Sequence, residues 1–267
     1  MKFSFFNLGC PGWDLETIAA KAAAYGYDGV ELRSHNDNPV LYPNPPLSYR
    51  KHVKSVFDAK HLEICCVSAY SRFATSDEKT LDENKQILVD DILLARDLGA
   101  PVVRSFLGES ESLTHQEIID HAAPYLNYCG DLALSLGVKV VFETHDAWCG
   151  GALMKLAFDK VTTAGAAVLW DLDNNHQQGE TAQNFFDAVG ERCAHVHMKD
   201  SFQKPDGSWQ ICLMGEGTAE AKKCLTLLRQ AGYQGYISFE WEKRWHPDIQ
   251  EPDVAFPHFI QYMKSII

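Results

Sequence analysis

The chain has 267 residues, 46% of them hydrophobic and 22% charged, and a formal net charge of −12. That is enough for one large α/β barrel or two ordinary domains with a well-supplied core. The acidic balance argues against a nucleic-acid backbone binder, no apolar run reaches the ~18 residues a membrane helix needs, and "MKFSFFNLGCPGWD" lacks the plan of a signal peptide.

The predicted strands fall at 3–8, 28–32, 62–68, 101–106, 138–143, 166–171, 194–198 and 236–240. Helical patterns lie between them, at 14–25, 47–60, 79–98, 115–136, 152–164, 182–189, 218–231 and 253–265. One punctuation recurs: a helix, a Gly, then a short apolar strand, as in "AAYGYDGVEL", "ARDLGAPVVR", "LSLGVKVVFE" and "RQAGYQGYISFE". Gly just past a helix takes the left-handed conformation without a Cβ penalty and turns the chain. Eight strand–helix units of this size predict a closed (β/α)8 TIM barrel, an α/β fold with one domain over 1–267. The rival, an open doubly wound sheet, usually carries G-x-G-x-x-G after its first strand, and "FNLGCPGWD" does not match it.

Polar residues collect at the predicted strand ends, where a barrel keeps its active site. Glu31 and Arg33 end strand two and read as a structural ion pair. His35 opens the long loop "SHNDNPVLYPNPPLS", a lid candidate on the active face. Arg104 on strand four suits either an anionic substrate or a pairing with Glu143. Strand five ends in Glu143, with His145 on the same side; strand six ends in Asp171; strand seven puts His195, His197 and Lys199 on one face; strand eight ends in Glu240. Lys199 either orients a substrate oxygen or pairs with Asp200. "KPDGSW" reads as a hairpin excursion, "GEG" at 215–217 as turn geometry, and Trp241 and Trp245 as either pocket walls or packing.

Burying an unpaired carboxylate costs several kcal/mol, and three of them meeting one imidazole would repel one another. A divalent ion resolves the conflict. Oxygen-rich ligation with one nitrogen suits Mn²⁺ first, with Mg²⁺, Co²⁺ or Zn²⁺ as alternatives. The eight cysteines show no C-x-x-C pair, and Cys65 and Cys66 are adjacent within a strand. They read as reduced, mostly buried thiols of a cytoplasmic protein.

The ordered run "GYDGVELR", "LGAPVVR", "VVFETH", "VLWDLDN", "HVHMKD", "MGEGT" and "AGYQGYISFEWE" resembles the sugar phosphate isomerase/epimerase superfamily. These xylose-isomerase-like barrels include ketose 3-epimerases, hydroxypyruvate isomerase, endonuclease IV and a dehydroshikimate dehydratase. The resemblance covers essentially the whole chain. It implies a metal held by Glu143, Asp171, His197 and Glu240, with Glu143 and Glu240 as the acid/base pair for proton transfer through an enediolate. It implies isomerisation or epimerisation of a small sugar or related polyhydroxy compound. The alternatives are dehydration of a cyclic hydroxy acid and endonuclease IV-like hydrolysis, which should need more His ligands and a basic face. His35, Arg104, His145, Asn174, His176, Lys199 and Trp241 are the expected substrate contacts. The expected partner is a carbohydrate-like small molecule, with no nucleic acid or membrane and with homo-oligomerisation left open. Two positions depart from many relatives: Asn174 stands where a His is usual after the strand-six Asp, and "MKDSFQKPDG" lacks the Arg of ketose 3-epimerases.

Overall fold

The computed structural model describes residues 1–267. The strands are β1 (Lys2–Phe6), β2 (Gly29–Arg33), β3 (Glu63–Arg72), β4 (Val102–Phe106), β5 (Lys139–Glu143), β6 (Ala166–Asp171), β7 (Cys193–Met198), β8 (Asp200–Gln203), β9 (Trp209–Cys212) and β10 (Tyr236–Phe239). β1 to β7 and β10 form a closed parallel barrel in which β10 sits between β7 and β1. β8 and β9 are an antiparallel hairpin standing outside it. The helices are α1 (Leu15–Tyr25), α2 (Leu47–Asp58), α3 (Glu78–Leu98), α4 (His115–Ser135), α5 (Gly151–Lys160), α6 (Leu172–Gln177), α7 (Ala182–Val189), α8 (Ala221–Gln230) and α9 (Pro252–Ile266). The single-domain TIM barrel expected from the repeat is the fold.

Local chemistry explains the element ends. Asp14 caps α1 by accepting from the Thr17 N–H, and Thr114 with Glu117 forms a reciprocal capping box on α4. Gly26 and Gly99 close α1 and α3 at φ +82° and +76°. Gly165 serves a different need, because a Cβ there would lie 1.9 Å from the Gly130 carbonyl oxygen. Several elements differ from the sequence expectation: β1 stops at Phe6 rather than 8, and α5 ends at Lys160 rather than 164. β3 continues past residue 68 to Arg72, α6 follows β6 directly, and α8 begins at Ala221 because Asp200 holds residues 215–219 in an irregular loop.

Alternation along the strands separates two interiors. Outward side chains form the main apolar layer under the helices, where Phe256 and Phe259 of α9 stack on Phe5 and Phe239 with ring centroids 4.2 and 4.5 Å apart. This pins α9 across the β1–β10 seam. A smaller buried cluster, including Cys66, Val102, Val141, Ala167 and Leu169, fills the inside of the barrel. Two residues further along these strands the inward positions are Ser68, Arg104, Glu143 and Asp171, so an apolar floor underlies a polar mouth.

Candidate active site

Four neighbouring strands build the centre of the mouth. Glu143 ends β5, Asp171 ends β6 and caps α6 by accepting from the Asn174 N–H, His197 lies on β7, and Glu240 directly follows β10. Register aligns His197 with Asp171 on one side and with Ser238 on the other. All four residues are buried, and ligand atoms of the four lie within 4.8 Å of one another. The expected convergence is therefore present in the fold.

Two cations of the chain reach this cluster. Arg104 donates from Nη1 to Glu143 Oε2 at 2.8 Å, while its guanidinium lies among the rings of Phe6, Tyr70 and Phe106. Lys199 Nζ lies 2.6 Å from Asp171 Oδ2, 2.6 Å from Glu240 Oε2 and 3.0 Å from Glu242 Oε1. It does not pair with Asp200, whose carboxylate accepts the backbone N–H groups of Gly215, Gly217 and Ala219.

The charges are unevenly compensated. Burial opposes ionisation of Glu143, yet Arg104 holds its carboxyl below the ordinary value. Burial likewise opposes ionisation of Glu240, and Lys199 with His197 holds it well below. For Asp171 burial wins: with Glu240 and Glu143 repelling it, its pKa is pushed well up despite Lys199. The mouth carries more carboxylate than its own cations neutralise.

The other expected contacts divide. His145 sits at the mouth, edge-on to Phe106, and its Nδ1 lies 2.7 Å from Asp146 Oδ1. His35 packs against Tyr70 with its Nδ1 2.6 Å from Asp37. Asn174 spends its side-chain amide on the Thr144 carbonyl at 3.1 Å. His176 turns toward the hairpin, 2.9 Å from Thr218 Oγ1 and edge-on to Trp209. Trp241 is not a wall of the mouth. It is fully buried, stacked on Phe239, and donates its indole N–H to the Gln250 carbonyl. The reason is parity: Glu240 points inward, so its neighbour points out. The exposed tryptophan is Trp245, over whose ring the guanidiniums of Arg33 and Arg244 lie.

Sequence reasoning missed the partners of Glu31. It does not pair with Arg33, which bonds Asp37 instead. Glu31 turns into the barrel and meets Ser68, His195 and His197. The inward parity of "HVH" was the available signal. The crossing from β2 to β7 was not.

A family model described as the xylose isomerase-like TIM barrel matches residues 19–266. The chain is 22% identical over 250 residues to inosose dehydratase of Lacticaseibacillus casei, covering 82% of this chain and 78% of that protein. It is 20% identical over 251 residues to fructoselysine 3-epimerase of Shigella flexneri, covering 90% of each. The crystal structure of D-psicose 3-epimerase in the presence of D-fructose superposes with a TM-score of 0.82 at 12% identity, over 100% of this chain and 99% of that one, a likeness of fold. The match over nearly the whole chain, on a closed eight-stranded barrel, makes this protein a member of the xylose isomerase-like TIM barrel family.

Proposed function

We propose that the protein is a divalent-metal-dependent isomerase or epimerase of a small sugar or related polyhydroxy compound. The observation that carries this reading is the buried cluster of Glu143, Asp171, His197 and Glu240. Three carboxylates and one imidazole fit Mn²⁺ best among common ions, with Mg²⁺, Co²⁺ and Zn²⁺ also accommodated. The upward push on Asp171 supports the same reading, because a cation there would relieve it. Glu143, Asp171, His197 and Glu240 would hold the ion, which would polarise substrate oxygens and acidify the neighbouring C–H.

The chain's own groups then handle the proton. Glu240, kept ionised by Lys199 and His197, is a base on one side of the mouth. Glu143, kept ionised by Arg104, faces it from β5. One carboxylate removes a proton from the carbon beside the carbonyl, giving an enediolate, and a carboxylate returns it. Return to the same carbon from the other side inverts it; return to the neighbouring carbon moves the carbonyl. The buried Arg104 Nε, which has no partner, is free to donate to a substrate oxygen, and His145 and His35 would be further substrate contacts.

Lys199 favours a second reading. With Lys199 holding Glu240 in place, Glu240 can take the carbon-bound proton and then pass it to a departing hydroxyl on the neighbouring carbon, which is loss of water from a cyclic hydroxy compound. The similarity to an inosose dehydratase supports the same alternative. Endonuclease-like hydrolysis is disfavoured by the net charge of −12. The whole chain, 1–267, acts as one catalytic domain in the cytoplasm on this reading.

Elemental analysis tests the metal: the purified protein exchanged into Mn²⁺ should retain about one ion per chain, and the Glu143→Gln, Asp171→Asn double variant should not. Glu240→Gln should lower turnover roughly 10²-fold or more, the usual contribution of a positioned base. Stoichiometric metal in the double variant, or full turnover in Glu240→Gln, would contradict the proposal.

A further inference from the structure

We infer that Glu31 is a positioning residue: it sets which nitrogen of His197 faces the acid cluster and holds the ring there. This rests on the metal reading above and extends it to a residue on the opposite side of the barrel.

His197 stands between two groups of carboxylates. Its Nε2 lies 2.9 Å from Glu31 Oε1 and 3.1 Å from Oε2. Its Nδ1 lies 3.1 Å from Glu240 Oε1 and 3.3 Å from Glu143 Oε1. An ionised carboxylate only accepts hydrogen bonds, so the nitrogen facing Glu31 must carry a proton. Both ring nitrogens face carboxylates; a cation held by Glu143 and Glu240 would take the place of a proton on Nδ1, while the bond to Glu31 keeps the proton on Nε2. That is the state a metal ligand needs, and a carboxylate behind the ring also raises the basicity of the ligating nitrogen.

Glu31 is itself held. His195 Nε2 lies 2.9 Å from Glu31 Oε2, and the Ser68 hydroxyl donates to Oε1. Phe6 stacks on the face of His197 with centroids 5.8 Å apart. The supporting set comes from β1, β2, β3 and β7, and every member is fully or almost fully buried. Such a network costs desolvation that a hydrophobic core would avoid, which is expected where orientation of one ring is the gain. Glu31, Cys66 and His195 could also be read as a cation site of their own. That reading fails on the inventory: three donors already occupy the Glu31 oxygens, and burial keeps the Cys66 thiol protonated.

The test uses full-length protein with ring-¹⁵N histidine, loaded with ¹¹³Cd²⁺. The expected spectrum shows cadmium coupling to His197 Nδ1 and a slowly exchanging proton on Nε2. Competition against a chromophoric chelator should show Glu31→Gln binding Cd²⁺ and Mn²⁺ about 10- to 100-fold more weakly, measured well below its melting temperature. A purely structural Glu31 would lower the melting temperature and leave the affinity of the folded protein and the Nδ1 coupling as in wild type. That result overturns the inference, and so does cadmium on Nε2 in the wild type. Should Glu31→Gln not fold, Ser68→Ala releases one anchor of Glu31 and should weaken binding several-fold; unchanged affinity there overturns it equally. A wild type that takes up no cadmium overturns the metal reading and this inference together, whereas bound cadmium with an indifferent Glu31 overturns this inference alone.

Discussion

Lys199 is a lysine where an arginine would be the more usual buried cation, and the difference has consequences. A compact ammonium fits between Asp171 and Glu240 at 2.6 Å from each, whereas the planar guanidinium of Arg104 reaches Glu143 from among aromatic rings. Removing one partner of a buried ion cluster typically costs about 3–5 kcal/mol. Lys199→Met should therefore destabilise the metal-free protein by that order. Added Mn²⁺ should then raise its melting temperature by more than it raises that of wild type, as read by calorimetry with and without the ion. An equal metal-induced shift in both proteins would mean that Lys199 does not stand in for missing positive charge.

Asp91 gives a pH prediction well away from the mouth. On α3 its Oδ1 accepts from Ser34 at 2.6 Å, while its buried Oδ2 has no partner. Burial raises its pKa to about 7, with the neighbouring Asp90 charge adding to the rise and the Ser34 bond opposing it. The unfolded value is about 3.9, so the folded protein binds the proton more tightly than the unfolded chain does. The associated stability is complete below pH ~4 and is lost as pH rises to about 7, on the order of 4 kcal/mol in all. Asp91→Asn keeps the shape and cannot ionise. It should melt several degrees above wild type at pH 8, with the gap more than halved at pH 5 and closed only near pH 4 and below. A gap that is the same at both pH values would show that Asp91 does not titrate in this window.

Among the elements, the loop that follows the β8–β9 hairpin is held by one side chain. Asp200 opens β8, and its carboxylate accepts from the N–H groups of Gly215, Gly217 and Ala219 at 2.8, 3.1 and 3.0 Å. It thereby folds the segment before α8 against the hairpin. Asp200→Ala would leave three backbone donors without their acceptor, a loss on the order of 3 kcal/mol. Hydrogen exchange over residues 213–219 should rise sharply while β5 and β6 stay protected. Uniform protection would assign the loop's order to something else.

The barrel strands and their order could be read from the sequence because Gly punctuation and period-two apolar runs are local signals. The inward set His195, His197 and Lys199 followed from the same alternation. Of the two readings of Trp241, pocket wall or packing, the structure bears out packing, as the same rule applied across the Glu240–Trp241 step requires. α6 and the extension of β3 to Arg72 carried no such signal: α6 starts on the Asp171 cap, and Arg72 pairs with Phe106 only beyond a register shift. The partners of Glu31 were beyond sequence reading for a geometric reason. His195 and His197 lie 164 and 166 residues away, and only barrel closure brings them together.

The whole molecule is a scaffold that brings charge from separate strands to one mouth. β1 against β10 closes the ring, α9 clamps that seam, and the closure sets Glu31, Arg104, Glu143, Asp171, His197 and Glu240 around a common axis above an apolar floor. The network spans the barrel, so damage to the seam should reach the site. Phe256 packs on Phe5, Trp13, Tyr27 and Phe239, and its loss should cost about 3–5 kcal/mol. Phe256→Ala should lower the denaturant midpoint and weaken Mn²⁺ retention together. A large stability loss with fully retained metal would show that the seam and the mouth are independent.

Proton transfer at carbon by Glu143 and Glu240, dependent on a divalent ion, is the central claim, and solvent isotope exchange reads it most directly. Mn²⁺-exchanged protein is incubated in deuterium oxide with a panel of ketoses, inositol derivatives and cyclic hydroxy acids. The diamagnetic Mg²⁺ form serves for NMR time courses. The account predicts that at least one compound gains deuterium at a carbon beside its carbonyl. That exchange should stop on chelation and fall roughly 10²-fold or more in Glu240→Gln. A compound that is converted with no solvent label reaching carbon, or at an unchanged rate after chelation, would contradict it.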